Sequence, residues 1–264
     1  MLKSVGTYIL LPVLCLLSVV LCRRDTTKRL TAATLAVEQR YEPVIALELF
    51  TSQGCSSCPP ADNLLRSILE ANKNKPVYGI AYHVDYWNYI GWRDPYSSSA
   101  YTEKQRDYSG RLGNKTIYTP QLVINGEEDL VGSDSGKIYN RISAYRKQPS
   151  ENKLELSWLE TAGSTIRVSY KVAGSLANKE LRGVLVLDER ITEVRRGENR
   201  GRRLVNNNIA VSEEIIALDV AEGVLQMRVP ELVRQGESIH LIAFVENDEK
   251  HIVAADKLSL TIKN

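Results

Sequence analysis

The sequence predicts an α/β domain over residues 43–150 followed by an all-β, sandwich-like domain over residues 151–264. Three observations lead there. Between residues 43 and 84 two apolar runs rich in Val and Ile flank one amphipathic run, the order of a β-α-β unit. A hairpin signal and another amphipathic run fill 117–148. Beyond Ser150 only short strand-like runs separated by turn residues remain, many of them alternating.

The elements follow in order. "PVIALELF" (43–50) is a short apolar run containing Val and Ile and reads as a buried strand, with "TSQG" as its turn. From Cys55 the chain becomes helical, and "ADNLLRSILEANKN" puts Leu64, Leu65, Ile68 and Leu69 on one face. "KPVYGIAYHV" (75–84) returns to strand. The Tyr- and Trp-rich stretch 85–113 ends in a helix capped near Ser97–Ser99. "QLVI" and "DLVG" form a hairpin around Asn125-Gly126. "SGKIYNRISAYRKQ" (135–148) is an amphipathic helix stopped by Pro149. After it come "KLELSWLE", "TIRVSYKV", "LRGVLVLDE", "GVLQMRVP", "SIHLIAFVEN" and "KHIVAADKLSLTI".

Residues 1–24 read as a signal peptide or membrane anchor, because the stretch from Val5 to Cys22 is almost wholly apolar and ends at Arg23-Arg24. Residues 25–42 read as a linker. The expectation is export to a periplasmic or extracellular compartment, with membrane attachment through residues 5–22 if the segment is retained. The 34 basic and 32 acidic side chains nearly cancel, so no global field points to nucleic acid. No Gly-rich phosphate loop, Ser-His-Asp arrangement or H-E-x-x-H helix is present, and no cofactor is predicted.

Of four cysteines, Cys55 and Cys58 lie in the folded part, at a strand-to-helix corner. Unpaired N–H groups at a helix start stabilise a thiolate, and a C-x-x-C spacing lets the two sulfurs bond with little backbone movement. A structural staple is a weak reading, since so short a loop removes little unfolded-state entropy. Thiol–disulfide exchange is the leading reading, with Cys55 as nucleophile and Cys58 resolving. The substrate is then a protein or small thiol or disulfide, served by an unidentified redox partner. Two alternatives stand beside it. One is a metal-binding module or metallochaperone using Cys55, Cys58 and His83. The other is a non-catalytic binding protein with an inert disulfide. "YTPQLVI" sets Thr119-Pro120 before a strand, where a cis bond would bring a backbone edge beside Cys55 for an extended substrate.

Strand, C-x-x-C, helix, strand, helix, Thr-Pro, hairpin and helix is similar to the thioredoxin order. More closely, "ELFTSQGCSSCPPADNLL", "YHVDYWNYIGWRDPYSSSAYTEKQRDY", "YTPQLVING" and "RGENRGRRL" resemble the secreted bacterial family of domain of unknown function 1223, from about residue 43 to about residue 260. The resemblance implies a thioredoxin-like N-terminal domain with an added β domain, and no established activity. Gly54, where thioredoxin has Trp, precedes the first cysteine. Thioredoxins carry a buried acid in the strand before the cysteines that moves protons for the second one. Glu48 is the candidate here, or else an acid meeting water or a basic partner.

His83 and Asp85 are two apart at the end of the second strand. His83 is a candidate base, a positioner of Asp85, or a histidine satisfied locally. Trp87, Tyr89, Trp92 and Tyr96 form either a wall for a substrate chain or packing for the inserted segment. Arg195, Arg196, Arg200, Arg202 and Arg203, with Gly197 and Gly201, read as a basic hairpin tip. It binds an acidic partner or the first domain, or is simply solvated.

Overall fold

The computed structural model describes residues 40–261. The predicted export or anchor segment, Cys15 and Cys22 lie outside the described residues. Among the described residues no helix is long and apolar enough to cross a membrane.

β1 (Ile45–Thr51) and β2 (Val77–His83) pair in parallel, from Ile45 opposite Val77 to Thr51 opposite His83. α1 (Cys58–Ala71) connects them. β1 is buried along its whole length, as an apolar run broken only by Glu48 and the terminal Thr51 requires of a strand covered on both faces. α2 (Ser99–Arg111) starts at Ser98, whose side chain accepts the Ala100 N–H. β3 (Gln121–Ile124) runs antiparallel to β1 and turns into β4 (Glu128–Val131). The turn sets Asn125 at φ 50° and Gly126 at φ 72°, the left-handed pair that Asn-Gly accommodates. α3 (Ser135–Tyr145) follows.

The rest is strand: β5 (Lys153–Ala162), β6 (Thr165–Ala173), β7 (Lys179–Glu193), β8 (Arg203–Ala217), β9 (Glu222–Arg228), β10 (Ser238–Asn247) and β11 (Ile252–Thr261). Eight strands form one mixed sheet in the order β11-β10-β7-β8-β2-β1-β3-β4, while β5, β6 and β9 form a second, smaller sheet.

This corrects the expected fold class. A thioredoxin-like α/β domain followed by a separate sandwich is not what forms. The described residues are 46% strand and 19% helix, and the large sheet runs without a break across residue 150. The described residues fall in a single compact unit. The joint is β8, which pairs with β7 on one side and meets β2 in parallel at Ala81 and Ile209 on the other. β7 also argues against a sandwich face, for Leu181 to Leu187 are buried without alternation. One face of the sheet is covered by α1 and α3, through Leu47, Leu49, Leu65 and Ile138, and by the small sheet, through Ile166, Val168 and Leu225. The other face holds Phe50, Tyr82, Val184, Val186 and Phe244, under Tyr101 and Tyr108 of α2.

On this second face a charged cluster fastens the strands together. Arg182 of β7 is fully buried. Its Nη1 donates to Glu48 Oε1 of β1 (2.9 Å) and to the Tyr82 hydroxyl of β2 (2.7 Å), and its Nε donates to Glu246 Oε1 of β10 (2.6 Å). Tyr108 donates to the other Glu48 oxygen (2.6 Å), and Tyr82 donates to Glu213 of β8 (2.8 Å). Burial works against ionised Glu213, yet Lys104 and Arg182 hold its carboxyl below the usual range. Burial pushes the Tyr82 and Tyr108 hydroxyls well up, so both stay protonated as donors.

Removing the cation leaves Glu48 and Glu246 buried without their partner. Arg182→Met should therefore lower unfolding free energy by roughly 3–5 kcal/mol, read from the urea midpoint and slope. A loss below about 1 kcal/mol, the scale of an exposed ion pair, would show that the cluster does not hold the sheet.

Candidate functional site

The site grows out of the end of β1. Cys55 N–H donates to the Ser52 carbonyl (3.2 Å), and Cys58 N–H to that of Cys55 (3.3 Å), which winds residues 52–58 into a tight turn. α1 begins at Cys58, and its prolines fall in the first turn, where missing N–H groups lose no helical hydrogen bond. Cys55 and Cys58 are disulfide-bonded, with Cα atoms 5.5 Å apart. Cys55 Sγ lies 3.3 Å from the Ser57 hydroxyl and 3.9 Å from the Thr119 carbonyl oxygen. The Thr119–Pro120 bond is cis. Trp87 Nε1 donates to Thr119 Oγ1 (2.8 Å), and Trp87 packs over Gly54, where an added Cβ would come within 2.9 Å of the Trp87 Cβ. Only glycine fits there. Cys55, Cys58, Trp87, Thr119 and Pro120 thus come together as one locality.

His83 and Thr51 are register partners at the ends of β2 and β1, on the face that α1 covers. His83 Nδ1 sits 2.7 Å from Asp94 Oδ2, and both side chains are fully buried. Burial opposes charge on either, but each holds the other ionised: His83 is raised and Asp94 lowered from their ordinary values. His83 Nε2 is buried with no hydrogen-bond partner. Asp62 lies one turn along α1 from Cys58, on the same helix face. Burial pushes its carboxyl up to about 6, with His83 and the Thr51 hydroxyl pulling the other way. Asp62 also lines an open cavity of about 330 Å³ with Pro59, Asn63, Arg202, Arg203 and Asn206.

A cover lies over the turn. The connection from β7 to β8 carries the "RGENRGRR" stretch, and its tip reaches back to the cysteines. Asn199 is fully buried, and its Nδ2 donates to the carbonyls of Gln53 (2.9 Å) and Cys55 (2.8 Å). Glu198 Oε2 accepts the Ser56 N–H (3.0 Å). Gln53 ties the turn to both long strands: its Nε2 donates to Thr192 Oγ1 (3.0 Å) and Asn206 Oδ1 (2.8 Å), and its N–H to Asp94 (2.8 Å). Under this cover Cys55 is 1% exposed and Cys58 0%.

Other predicted residues sit elsewhere. Glu48 is not beside the cysteines. It points from β1 to the opposite face, because alternate residues of a strand face opposite ways, and it meets Arg182. His83 does not pair with Asp85. The strand ends at His83, and Asp85 turns to α2, where it accepts the Thr102 hydroxyl (2.6 Å). Trp92 donates to Gln53 and Tyr96 packs edge-on against His83, while Tyr89 stands exposed. Among the described residues no group of three or more His, Cys, Asp or Glu is arranged to hold a metal ion. Asp62, Asp94, Gln53, Glu198 and Asn199 were not singled out by sequence, although Asp62 carries a legible signal in its four-residue spacing from Cys58.

A family model described as "Protein of unknown function (DUF1223)" matches residues 46–246, and the chain belongs to that family. The crystal structure of protein AGR_C_4864 from Agrobacterium tumefaciens is similar at 26% identity with a TM-score of 0.63, over 86% of this chain and 96% of that one. A domain of the outer membrane lipoprotein Omp28 from Porphyromonas gingivalis matches at 16% identity and a TM-score of 0.25, over 43% of this chain and 98% of that one, too remote to carry an argument. No curated protein matches the sequence.

The raised carboxyl has a thermodynamic signature. Between its ordinary value of 3.8 and about 6 the folded protein holds a proton on Asp62 that the unfolded chain has lost. Stability contributed by Asp62 is therefore present at low pH and declines as pH rises through that window. Asp62→Asn should flatten the decline, seen as a smaller fall in urea midpoint from pH 4 to pH 6.5 than in the parent. Identical slopes would place the Asp62 carboxyl in water.

Proposed function

We propose that this family member exchanges thiols and disulfides through Cys55 and Cys58. The observation that carries the reading is a bonded cysteine pair at the start of α1 with the Asp62 carboxyl one turn beyond it. In the reduced form the Cys55 thiolate attacks one sulfur of a substrate disulfide. A Cys55–substrate bond forms, and the other substrate sulfur leaves as a thiolate with the electron pair. Cys58 then gives its proton to the Asp62 carboxylate, attacks Cys55 Sγ and expels the second substrate thiolate. The cysteines lose two electrons and the substrate gains them. Run backwards, the same steps oxidise a dithiol. A carboxyl with a value near 6 is a serviceable acceptor at neutral pH and a serviceable donor in reverse. His83 and Asp94 form a fixed ion pair near that carboxyl and help set its value. Export through the apolar N-terminal segment, into a compartment where such a bond persists, belongs to the same proposal.

A second reading has an observation of its own. Both cysteines are almost wholly covered, as an inert disulfide in a binding protein would be. The two part on one measurement, the Cys55–Cys58 reduction potential by glutathione or dithiothreitol equilibration. Exchange predicts a value between about −120 and −270 mV, and Cys58→Ser should then retain a substrate as a mixed disulfide. A value well below about −300 mV, with nothing trapped, would sink the exchange reading in favour of the binding protein.

A further inference from the structure

We infer that residues 194–202 are a displaceable cap on the disulfide, and that an acidic polypeptide opens it by pairing with the arginines on its outer side. The inner side of the tip makes few bonds to the turn: Glu198 to Ser56 N–H, and Asn199 to the Gln53 and Cys55 carbonyls. Those bonds cross 142 to 146 residues of sequence, and no covalent link backs them within the tip. Gly197 at φ 73° and Gly201 at φ 78° bracket Glu198, Asn199 and Arg200 within the segment, in a backbone region where other residues are strained.

The outer side is cationic. Arg195, Arg196, Arg200, Arg202 and Arg203 are all exposed. Arg203 has Glu193 at 3.7 Å and Arg202 is tied to Asn199, but Arg195, Arg196 and Arg200 have no carboxylate within ion-pairing distance among the described residues. Three unmatched guanidiniums at the rim of a covered site fit a run of Asp and Glu. Such a chain prefers the open form for a stated reason. Once Glu198 and Asn199 withdraw, the Ser56 N–H and two carbonyls become free for its backbone and carboxylates, and these contacts exist only with the cap off. Opening also removes the Glu198 carboxylate from the residue next to Cys55, which favours a Cys55 thiolate.

The inference concerns access and holds whether or not the pair is catalytic. A failed trap with Cys58→Ser would leave it standing. The test is the rate at which dithiothreitol reduces the Cys55–Cys58 bond in the oxidised full chain, with and without a ten-residue glutamate peptide. Two lost hydrogen bonds predict that Asn199→Ala is reduced faster by a factor on the order of ten or more. Glutamate peptide should speed the parent several-fold at low salt, lose that effect at high salt, and do nothing to Arg195→Ser/Arg196→Ser/Arg200→Ser. If Asn199→Ala shows a lowered urea midpoint, Glu198→Ala, which removes the acceptor of the Ser56 N–H at an exposed side chain, decides in its place. An unchanged rate in a folded cap variant would mean that the cap does not limit access. A peptide without effect on the parent would mean that the arginines are not its handle.

Discussion

Arg182 has no access to water, and it holds Glu48, Tyr82 and Glu246 from three other strands of the same sheet. A guanidinium can be buried only where carboxylates and hydroxyls meet its donors, and those partners come from both halves of the sequence. The sheet order follows from this constraint. β7 must lie close enough to β1 for the ion pair, with β8 and β2 between them, and Tyr82 and Glu213 fill the intervening positions. Once β7 and β8 are fixed there, their far ends project past the end of β1. The tip that joins them then falls on the cysteine turn. The cover over the disulfide is in this sense a geometric outcome of the charged cluster.

The two faces of β1 divide the work. Its odd-numbered residues face α1 and lead to Thr51, His83 and Asp62, of which Asp62 has its carboxyl pushed up to about 6 by burial. Its even-numbered residues lead to Glu48 and the Arg182 cluster, where charges are locked by mutual contact. Two acids, Glu48 fully buried and Asp62 half-buried at an open cavity, therefore do opposite things. One is held by a cation and fixes the architecture. The other lacks a full partner, sits on the cysteine helix one turn after Cys58 and stays titratable.

Much of the first 150 residues was legible, because apolar runs, a Ser cap, an Asn-Gly turn and a terminating proline are local signals. The fold class was not, and the cause is β8. Its central Asn206-Asn207-Asn208 interrupts the apolar pattern that marks a buried strand, so only the basic hairpin tip before it stands out. In the folded chain those amides are used: Asn206 accepts from Gln53, and Asn208, at φ 51°, donates to the Gly79 carbonyl of β2. Polar residues that bind a neighbouring strand carry no periodicity, and without β8 the two halves look like two domains. Glu48 follows the second of its two readings, an acid meeting a basic partner, for a different reason. Strand alternation says which residues share a face, but not which face the cysteine helix will choose. Asn199 acts only through contacts across the chain, which no local pattern announces.

The cover and what it covers are made at different times. Asn199 lies 144 residues after Cys55, so a chain emerging N-terminus first presents both thiols well before the segment that will hide them. At ordinary synthesis rates that interval is on the order of ten seconds. Whatever oxidant or reductant the nascent chain meets in that time acts on open cysteines, and folding of the second half then closes over the result. Under the cap proposed above, the redox state of the finished molecule records the surroundings in which its first half emerged, until the cap is lifted.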